Sequence, residues 1–164
     1  MFEKIITQLK AKFGAQIILK EEIEGLQPAC YIDPSKLVEV CEYLHGEPTL
    51  YFDFLANITA VDQGAAAAAY TLVYHLTSMP HKLQLVLKIN LPYELDQETL
   101  PTVPSVHTIW RTADWHEREA FDLMGIFFTG HPDLRRILLP DDWEGYPLRK
   151  DYQEAALYHG IPIK

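Results

Sequence analysis

Two neighbouring segments of alternating polar and apolar residues limit most strongly what this chain can fold into. Residues 70–76 and 82–89 both show the two-residue period of a strand that has one buried face. Only the short connection at residues 78–81 joins them. The two segments therefore predict the centre of an antiparallel meander, with helices packed on one face of the sheet.

Two amphipathic helices are predicted for that face. Residues 2–13 carry apolar side chains at three- to four-residue spacing, and Gly14 ends this helix. A second helix begins after Asp33, its N-cap, with Pro34 in the first helical position, and ends near residues 45–46. Its buried face is formed by Leu37, Val40, Cys41 and Leu44.

Shorter strands and connections account for the remaining residues upstream of position 113. Strands are predicted at residues 16–19, 29–32, 50–61 and 106–110, and residues 54–57 of the third also fit a helical turn. The predicted connections are a turn or exposed extension at residues 21–25, a loop without function at the five alanines 65–69, and a proline-punctuated segment at residues 91–104.

Length and composition restrict the class of protein. The chain has 164 residues, 48% of them hydrophobic and 23% charged, which fits one globular core. A net charge of -9 argues against nucleic acid as the main partner, because phosphate contacts need a basic surface. No apolar run is long enough to span a membrane. No signal peptide precedes Cys30 and Cys41, so both are expected to be reduced cytosolic thiols.

The arginines are confined to one part of the sequence. They lie at positions 111, 118, 135, 136 and 149, and the residues before them use only lysine as a permanent cation. Arginine is favoured in bidentate and buried ion pairs, because its planar fork of donors fits a carboxylate. The chain therefore concentrates its demanding electrostatics in residues 114–151, and the upstream part is interpreted as the scaffold that carries them.

A short charged helix is predicted within this part, over residues 115–124. Asp114 and Glu117 have the spacing of a capping box, and Gly125 supplies the C-terminal end. The opposite side from its apolar arc carries Arg118, Glu119 and Asp122, and an i,i+4 ion pair is predicted between Arg118 and Asp122. The apolar arc itself is formed by Ala120, Phe121, Leu123 and Met124.

Glu117 is the exception in this helix, because it falls within the apolar arc. A buried carboxylate is costly unless a cation meets it, and the sequence offers Arg111, Arg135 or Arg136. Glu117 is therefore predicted to be one half of a structural ion pair. A role as a catalytic acid is the lesser interpretation.

The residue types that carry chemistry are not arranged as an active site. Position 120 is alanine where a zinc helix starting at His116 needs its second histidine. The glycines are scattered singly, so no phosphate loop is present, and no serine lies in a nucleophile elbow. No metal-ligand spacing is found among the histidines at positions 75, 81, 107, 116, 131 and 159. Arginines with neighbouring Trp and Tyr residues instead have the composition of an interface.

The same part of the chain resembles a known family. Residues 116–138, from His116-Glu117-Arg118-Glu119 to Arg135-Arg136-Ile137-Leu138, are similar to the signature of the C subunit of respiratory complex I, the proton-translocating NADH:quinone oxidoreductase. Residues 143–152 resemble its second block, and residues 51–62 and 72–76 its weaker upstream blocks. Two departures are visible. Tyr146 stands where the family usually has histidine, and the short tail after Tyr152 implies fewer contacts with a partner.

The resemblance implies a fold position and a set of partners. Family members bind no flavin, iron–sulfur cluster or quinone themselves, while the complex uses NADH, flavin, iron–sulfur clusters and quinone. They are peripheral membrane proteins on the cytoplasmic side of the cell inner membrane. There they pack against the D subunit, which helps to form the quinone site, and against other hydrophilic-arm subunits, without contacting nucleic acid or spanning the membrane. This chain is therefore expected to be a non-catalytic scaffold of the electron path.

The expected interface and structural ion-pair residues all lie in or after the charged helix. They are Glu117, Arg118, Glu119, Asp122, Gly125, Gly130, His131, Arg135, Arg136, Trp143, Tyr146, Arg149 and Lys150. Two alternatives remain open. One is the equivalent subunit of a related membrane-bound hydrogenase or of a dehydrogenase complex with another electron donor. The other is a free-standing soluble enzyme that uses Glu117, Glu119 and Asp122.

The predicted architecture is a single α+β domain of two layers (α/β two-layer). Residues 1–112 form the core, with a mainly antiparallel sheet and helices on one face. Residues 113–164 add the charged helix and an extended arginine-rich C-terminal arm, which together form the docking segment.

Overall fold

The two alternating segments form a long antiparallel hairpin at the centre of a five-stranded sheet. A computed structural model describes residues 1–24, 26–93 and 99–162. In it, strand β4 (Ala69–Ser78) pairs with β5 (Leu83–Pro92) over their full length. Strand β3 (Phe54–Asp62) pairs antiparallel with the other side of β4 and forms one edge of the sheet. The prediction of an antiparallel meander is confirmed.

The other side of the sheet contains its single parallel pair. Strand β2 (Ala29–Ile32) runs parallel to β5, and β1 (Ile18–Glu22) pairs antiparallel with β2. The strand order is β1-β2-β5-β4-β3. The chain therefore has the predicted α+β fold with a mainly antiparallel sheet.

Two helices bury their apolar stripes in the core of this sheet. Helix α1 (Phe2–Phe13) and helix α2 (Leu37–Gly46) have the predicted extents. Asp33 accepts a hydrogen bond from the Ser35 backbone N–H at 2.8 Å, although the turn it caps is a 3-10 turn that precedes α2. Cys41 is buried in the core as predicted, and Cys30 and Cys41 are both unpaired thiols.

Three predictions for local structure were wrong or displaced. Residues 54–57 form no helical turn, because β3 begins at Phe54 and the alternation is interrupted by a bulge between Leu55 and Asn57. Residues 106–110 form a turn, in which the N–H groups of Ile109 and Trp110 both donate to the Val106 carbonyl. The strand predicted at 16–19 starts at Ile18 and continues through the charged edge residues to Glu22.

A second, small sheet lies beside the main one. Strand β6 (Thr102–Pro104) falls within the segment predicted to be only a connection, and it pairs parallel with β7 (Phe127–Thr129). Residues 94–98 of that connection lie outside the described residues. The alanine loop is confirmed over residues 65–68, and Ala69 already belongs to β4.

The charged helix and the residues after it pack on this core. Helix α3 (Ala113–Met124) lies between β6 and β7 in the chain and contacts β3. Residues 130–156, called here the C-terminal segment, are irregular and fold back over α3. A short hairpin of β8 (Leu157–Tyr158) and β9 (Ile161–Pro162) follows. None of the helices within the described residues combines the length and the apolar character that a membrane crossing requires.

Candidate functional site

Helix α3 positions most of the predicted site residues. It starts two residues earlier than predicted, and Gly125 ends it in the left-handed conformation, with a φ of 66°. The predicted capping box does not form, because the N-cap is Thr112 and no side chain caps the helix. The Glu117 carboxylate points to another segment of the chain instead.

Glu117 is fully buried, as its place in the apolar arc predicts, but its ion pair with an arginine was wrong. The Ser105 hydroxyl donates to Oε2, and the Val106 N–H donates to Oε1 at 2.8 Å. No salt bridge to Glu117 is found among the described residues. Burial raises the pKa of Glu117 to about 7, and the two hydrogen bonds offset only part of that effect. Glu117 is thus a buried carboxyl group that titrates near neutral pH.

The predicted ion pair between Arg118 and Asp122 was also wrong. Asp122 is 0% exposed and Arg118 is 8% exposed, so neither faces solvent. Arg118 donates to the backbone carbonyls of Arg135 and Arg136, each at 3.2 Å. The reason is that the C-terminal segment crosses the polar side of α3 and buries it. Glu119 alone of the three polar residues is exposed, as predicted.

Asp122 is the centre of a dense set of hydrogen bonds. Its Oδ1 accepts from Nη1 of Arg136 at 2.7 Å. Its Oδ2 accepts from the N–H groups of Ile137, Leu138 and Leu139 at 2.7 to 3.0 Å. Burial acts to raise the pKa of Asp122, but the N–H groups and Arg136 outweigh it and hold the pKa below its usual value. Asp122 is thus a buried anion that fixes the path of residues 136–139.

Arg136 continues this network towards the end of the C-terminal segment. Its Nη1 also donates to the Asp122 carbonyl at 2.9 Å. Its Nη2 donates to the carbonyls of Trp143 at 2.9 Å and Gly145 at 3.1 Å. The guanidinium carbon lies 5.5 Å from the centre of the Tyr146 ring. One side chain therefore joins α3 to two later turns of the chain.

Arg149 holds the C-terminus of α3. Its Nε donates to the Met124 carbonyl at 2.7 Å and its Nη2 to the Gly125 carbonyl at 3.2 Å. A cation at this end of a helix is favoured by the helix dipole. The guanidinium lies over the rings of Tyr146, at 4.6 Å, and Tyr70, at 5.3 Å. We call Arg118, Asp122, Arg136 and Arg149 the arginine cluster.

Two residues that sequence reasoning did not select complete the site. Asp62, at the end of β3, accepts hydrogen bonds from the backbone N–H groups of Gly64, at 2.6 Å, and Lys150, at 2.7 Å. Ser105 holds Glu117. Asp62 ends a strand two residues before a glycine, which is the pattern of a turn that a side chain closes. No local pattern marks Ser105.

The remaining predicted residues have separate surroundings. The buried His131 side chain contacts the Asp114 carbonyl through Nε2 at 3.1 Å and accepts the Asp133 N–H at Nδ1. Arg135 is exposed and pairs with Asp133 at 2.9 Å. The other four, by place, are the exposed turn residue Gly130, the half-buried rings of Trp143 and Tyr146, and the exposed Lys150, of which only the backbone N–H is bound. Their part in an interface stays a prediction.

The three carboxylates proposed for a soluble enzyme do not converge. Glu117 is held by Ser105 and Val106, Asp122 by Arg136 and residues 137–139, and Glu119 is exposed. Within the described residues, no group of three or more His, Cys, Asp or Glu side chains is placed to hold a metal ion. The arrangement restrains backbone rather than presenting reactive groups.

The fold and the arginine cluster define an α+β subunit whose last third is fixed over one helix by buried charges. The family description "Respiratory-chain NADH dehydrogenase, 30 Kd subunit" matches residues 30–157, and the chain belongs to this family. The C subunit of the NADH-quinone oxidoreductase of Roseiflexus sp. (strain RS-1) is 40% identical, over 93% of this chain and 84% of its own length. The C/D subunit of the NADH-quinone oxidoreductase of Methylococcus capsulatus is 37% identical, over 94% of this chain and 27% of its own length.

Solved structures share the fold. A chain of the membrane-bound sulfane sulfur reductase, an archaeal respiratory membrane complex, aligns with a TM-score of 0.73 and 25% identity, over 93% of this chain and 85% of that chain. The trypsin-resistant fragment of Nqo5 aligns with a TM-score of 0.63 and 28% identity, over 81% of this chain and 98% of the fragment. The relatives support a subunit of an NADH-quinone oxidoreductase.

Proposed function

We propose that this chain is a non-catalytic subunit of the peripheral arm of proton-translocating NADH:quinone oxidoreductase. In this proposal it packs against the D subunit and other hydrophilic-arm subunits on the cytoplasmic side of the inner membrane. It binds none of the NADH, flavin, iron–sulfur clusters or quinone of the complex. Family membership supports the complex, and the arginine cluster supports the scaffolding role.

The observation that carries the proposal is where the charged groups of α3 and the C-terminal segment are directed. Asp122 and Arg136 bond to each other and to backbone groups, and Arg118 bonds to backbone carbonyls. Such bonds fix the shape of a surface, and they leave these groups unavailable for proton transfer to a substrate. Electron transfer depends steeply on distance, so a rigid surface that holds neighbouring subunits serves the reaction without chemistry of its own.

The D subunit is the proposed neighbour because of one relative. The Methylococcus capsulatus protein carries the letters C and D in one name, and this chain aligns with 27% of it. Two subunits that occur in one polypeptide are expected to pack together when they are separate chains. Exposed aromatic and apolar side chains near α3, with Trp115 66% exposed and Leu148 58% exposed, offer contacts of the kind enriched in interfaces.

A related complex with another electron donor is the second candidate. The structural match to a chain of the archaeal sulfane sulfur reductase, with a TM-score of 0.73, favours it. The same scaffold can serve either complex, because nothing in the arginine cluster contacts a donor or acceptor of electrons.

Affinity purification of the tagged full chain from its own cells tests both candidates. We expect the D subunit and the other hydrophilic-arm subunits to be recovered, together with NADH:quinone oxidoreductase activity that the isolated chain lacks. Recovery of hydrogenase or sulfur reductase subunits would select the second candidate. Turnover by the isolated chain, or its recovery without any of these subunits, would contradict both.

A further inference from the structure

Arg149 is a buried cation with one unoccupied donor. The residue is 6% exposed, and its Nε and Nη2 bond to the carbonyls of Met124 and Gly125. Its Nη1 atom is also buried, and no acceptor lies within hydrogen-bond distance of it among the described residues. A buried donor without an acceptor is costly, so this nitrogen calls for an oxygen atom that the chain does not provide.

Arg149 also differs from its neighbours in lacking a counter-ion. Arg136 has Asp122 at 2.7 Å, and Arg135 has Asp133 at 2.9 Å. For Arg149, the described residues supply two backbone carbonyls and two aromatic rings, and no carboxylate in a salt bridge. The partial charge at a helix C-terminus offsets part of a full positive charge, and buried charges are usually paired.

A second buried donor lies on a neighbouring side chain. Tyr70 is 0% exposed, and its hydroxyl has no hydrogen-bond partner among the described residues. Its ring centre is 5.3 Å from the guanidinium carbon of Arg149. Burial raises the pKa of Tyr70, so the hydroxyl remains a protonated donor. Two donors without acceptors on neighbouring side chains fit one oxygen-bearing group better than two unrelated defects.

Arg149 lines a cavity that is open to solvent. The cavity has a volume of about 400 Å³. It is much larger than the roughly 30 Å³ that one water molecule occupies in the liquid, so a side chain fits. Its other lining residues are Glu144, Gly145, Tyr146, Asp151, Tyr152 and Gln153. The exposed carboxylates of Glu144 and Asp151 disfavour free anions, which leaves a carboxylate delivered by a docked protein.

We propose that this cavity receives one Asp or Glu side chain of a partner subunit, whose carboxylate accepts a hydrogen bond from Nη1 of Arg149. The inference rests on the proposed function, because it needs a docked subunit. A guanidinium–carboxylate pair is directional, so a single pair here fixes the orientation of the partner relative to the end of α3.

Photo-crosslinking in the assembled complex identifies the occupant. The photoreactive amino acid p-benzoylphenylalanine replaces Tyr152, which lines the cavity, and the tagged full chain is purified from its cells after irradiation. We expect a crosslink to a peptide of a partner subunit that contains an Asp or Glu. Met79, which is 63% exposed on the β4–β5 connection, is the control position, and we expect no crosslink from it to that peptide.

A double-mutant cycle then tests the pair itself. We expect Arg149→Gln and amide replacement of the crosslinked carboxylate each to weaken the affinity of the chain for that subunit by at least about 30-fold, as for a buried charge pair. The two changes together are expected to weaken it no further. Arg136→Gln is the matched control, because the Arg136 donors are satisfied within this chain, so its effect should add to that of the partner change. Circular dichroism of each free variant reports folding, and Arg149→Lys, which keeps the charge, is expected to retain part of the coupling.

The outcomes separate this inference from the proposed function. Partner subunits recovered without a crosslink from position 152, a crosslinked peptide lacking Asp and Glu, or additive effects in the cycle would overturn the inference and leave the proposed function standing. A cavity filled only by water belongs to these outcomes. Failure to recover any complex subunit would overturn the proposed function and the inference with it.

Discussion

Two fully buried carboxyl groups on α3 have pKa values shifted in opposite directions, for reasons visible in their bonds. Asp122 accepts three backbone N–H bonds and one from Arg136, and its pKa is lowered despite burial. Glu117 accepts one N–H bond and one hydroxyl bond, and its pKa is raised to about 7. The number and charge of the donors, rather than the depth of burial, decide which of the two stays ionised at neutral pH.

Glu117 is expected to make the stability of the chain depend on pH. Its pKa is about 7 in the folded chain and near 4.3 in an unfolded chain, so the folded state binds the extra proton between these values. Its contribution to the free energy of unfolding is complete below about pH 4 and is lost as pH rises through about 7. Between pH 5 and pH 8 we expect a loss of about 2 to 3 kcal/mol, measured by urea unfolding.

The matched variant for this prediction is Glu117→Gln. An amide keeps the shape and one acceptor for the Val106 N–H, and it does not titrate in this range. The difference in unfolding free energy between the chain and this variant should therefore change with pH in the stated direction. Parallel pH profiles for the two proteins would show that Glu117 does not titrate there.

The adjacent residues Arg135 and Arg136 are expected to differ sharply in their effect on stability. Arg136→Ala leaves the buried Asp122 anion without its cation, which typically costs about 3–5 kcal/mol. Arg135→Ala removes an exposed pair with Asp133, which is worth less than about 1 kcal/mol. Thermal and urea unfolding of the two variants measures this. Equal losses would mean that Arg136 is not the counter-ion of Asp122.

At the scale of elements, the end of α3 depends on a glycine that has no room for a side chain. Gly125 has a φ of 66°, and a Cβ there would lie 2.6 Å from the Tyr146 ring and 2.7 Å from Nη2 of Arg149. Gly125→Ala is expected to lower stability through both backbone strain and overlap. Gly130, with a φ of 84° and open space around it, is the control for backbone strain alone.

The two glycine variants separate these costs. We expect Gly130→Ala to cost about 1–2 kcal/mol, the usual penalty of a left-handed conformation. Gly125→Ala should cost at least about 1 kcal/mol more, because the overlap forces Arg149 or Tyr146 to move. Urea unfolding measures both. A smaller loss for Gly125→Ala than for Gly130→Ala would contradict the packing around the end of α3.

Asp62 is expected to hold the C-terminal segment against the end of β3. Its carboxylate accepts the Lys150 backbone N–H, which is 88 residues away in the sequence. Asp62→Ala should therefore speed amide hydrogen exchange at residues 149–152 and at Gly64. Lys150→Ala should leave this exchange unchanged, since only the Lys150 backbone takes part. Similar exchange in Asp62→Ala and the parent chain would remove this role.

Elements set by local patterns could be predicted, and those set by distant contacts could not. The β4–β5 hairpin and helices α1 and α2 follow from periodicity and from end signals such as Gly14. The turn at 106–110 was missed because Glu117, eleven residues later, holds the Val106 N–H. The burial of Arg118 was missed because the C-terminal segment covers a second side of α3, which angular position on a helix does not reveal.

For the whole molecule, the long-range bonds close the chain on itself. The C-terminal segment is bonded to α3 through Asp122 and Arg136, to the α3 end through Arg149, and to β3 through Asp62. These attachments connect the last third of the sequence to the sheet of the first two thirds. The outer surface of α3 and of this segment is therefore presented in one fixed arrangement, as a scaffold for neighbouring subunits requires.

Trp115 is expected to be an assembly residue with no role in stability. It is 66% exposed on the first turn of α3, and its ring lies 5.8 Å from the Arg118 guanidinium, which holds it without burying it. Exposed tryptophans next to arginine are typical interface hot spots, and truncation of one costs about 2 kcal/mol of binding, or roughly 30-fold in affinity. Trp115→Ala should lower the recovery of partner subunits and leave thermal unfolding unchanged. Met79→Ala, which removes a side chain of similar exposure from the β4–β5 connection, should change neither. If the two variants recover partner subunits equally well, the interface does not include the first turn of α3, and the docking surface lies on another part of the chain.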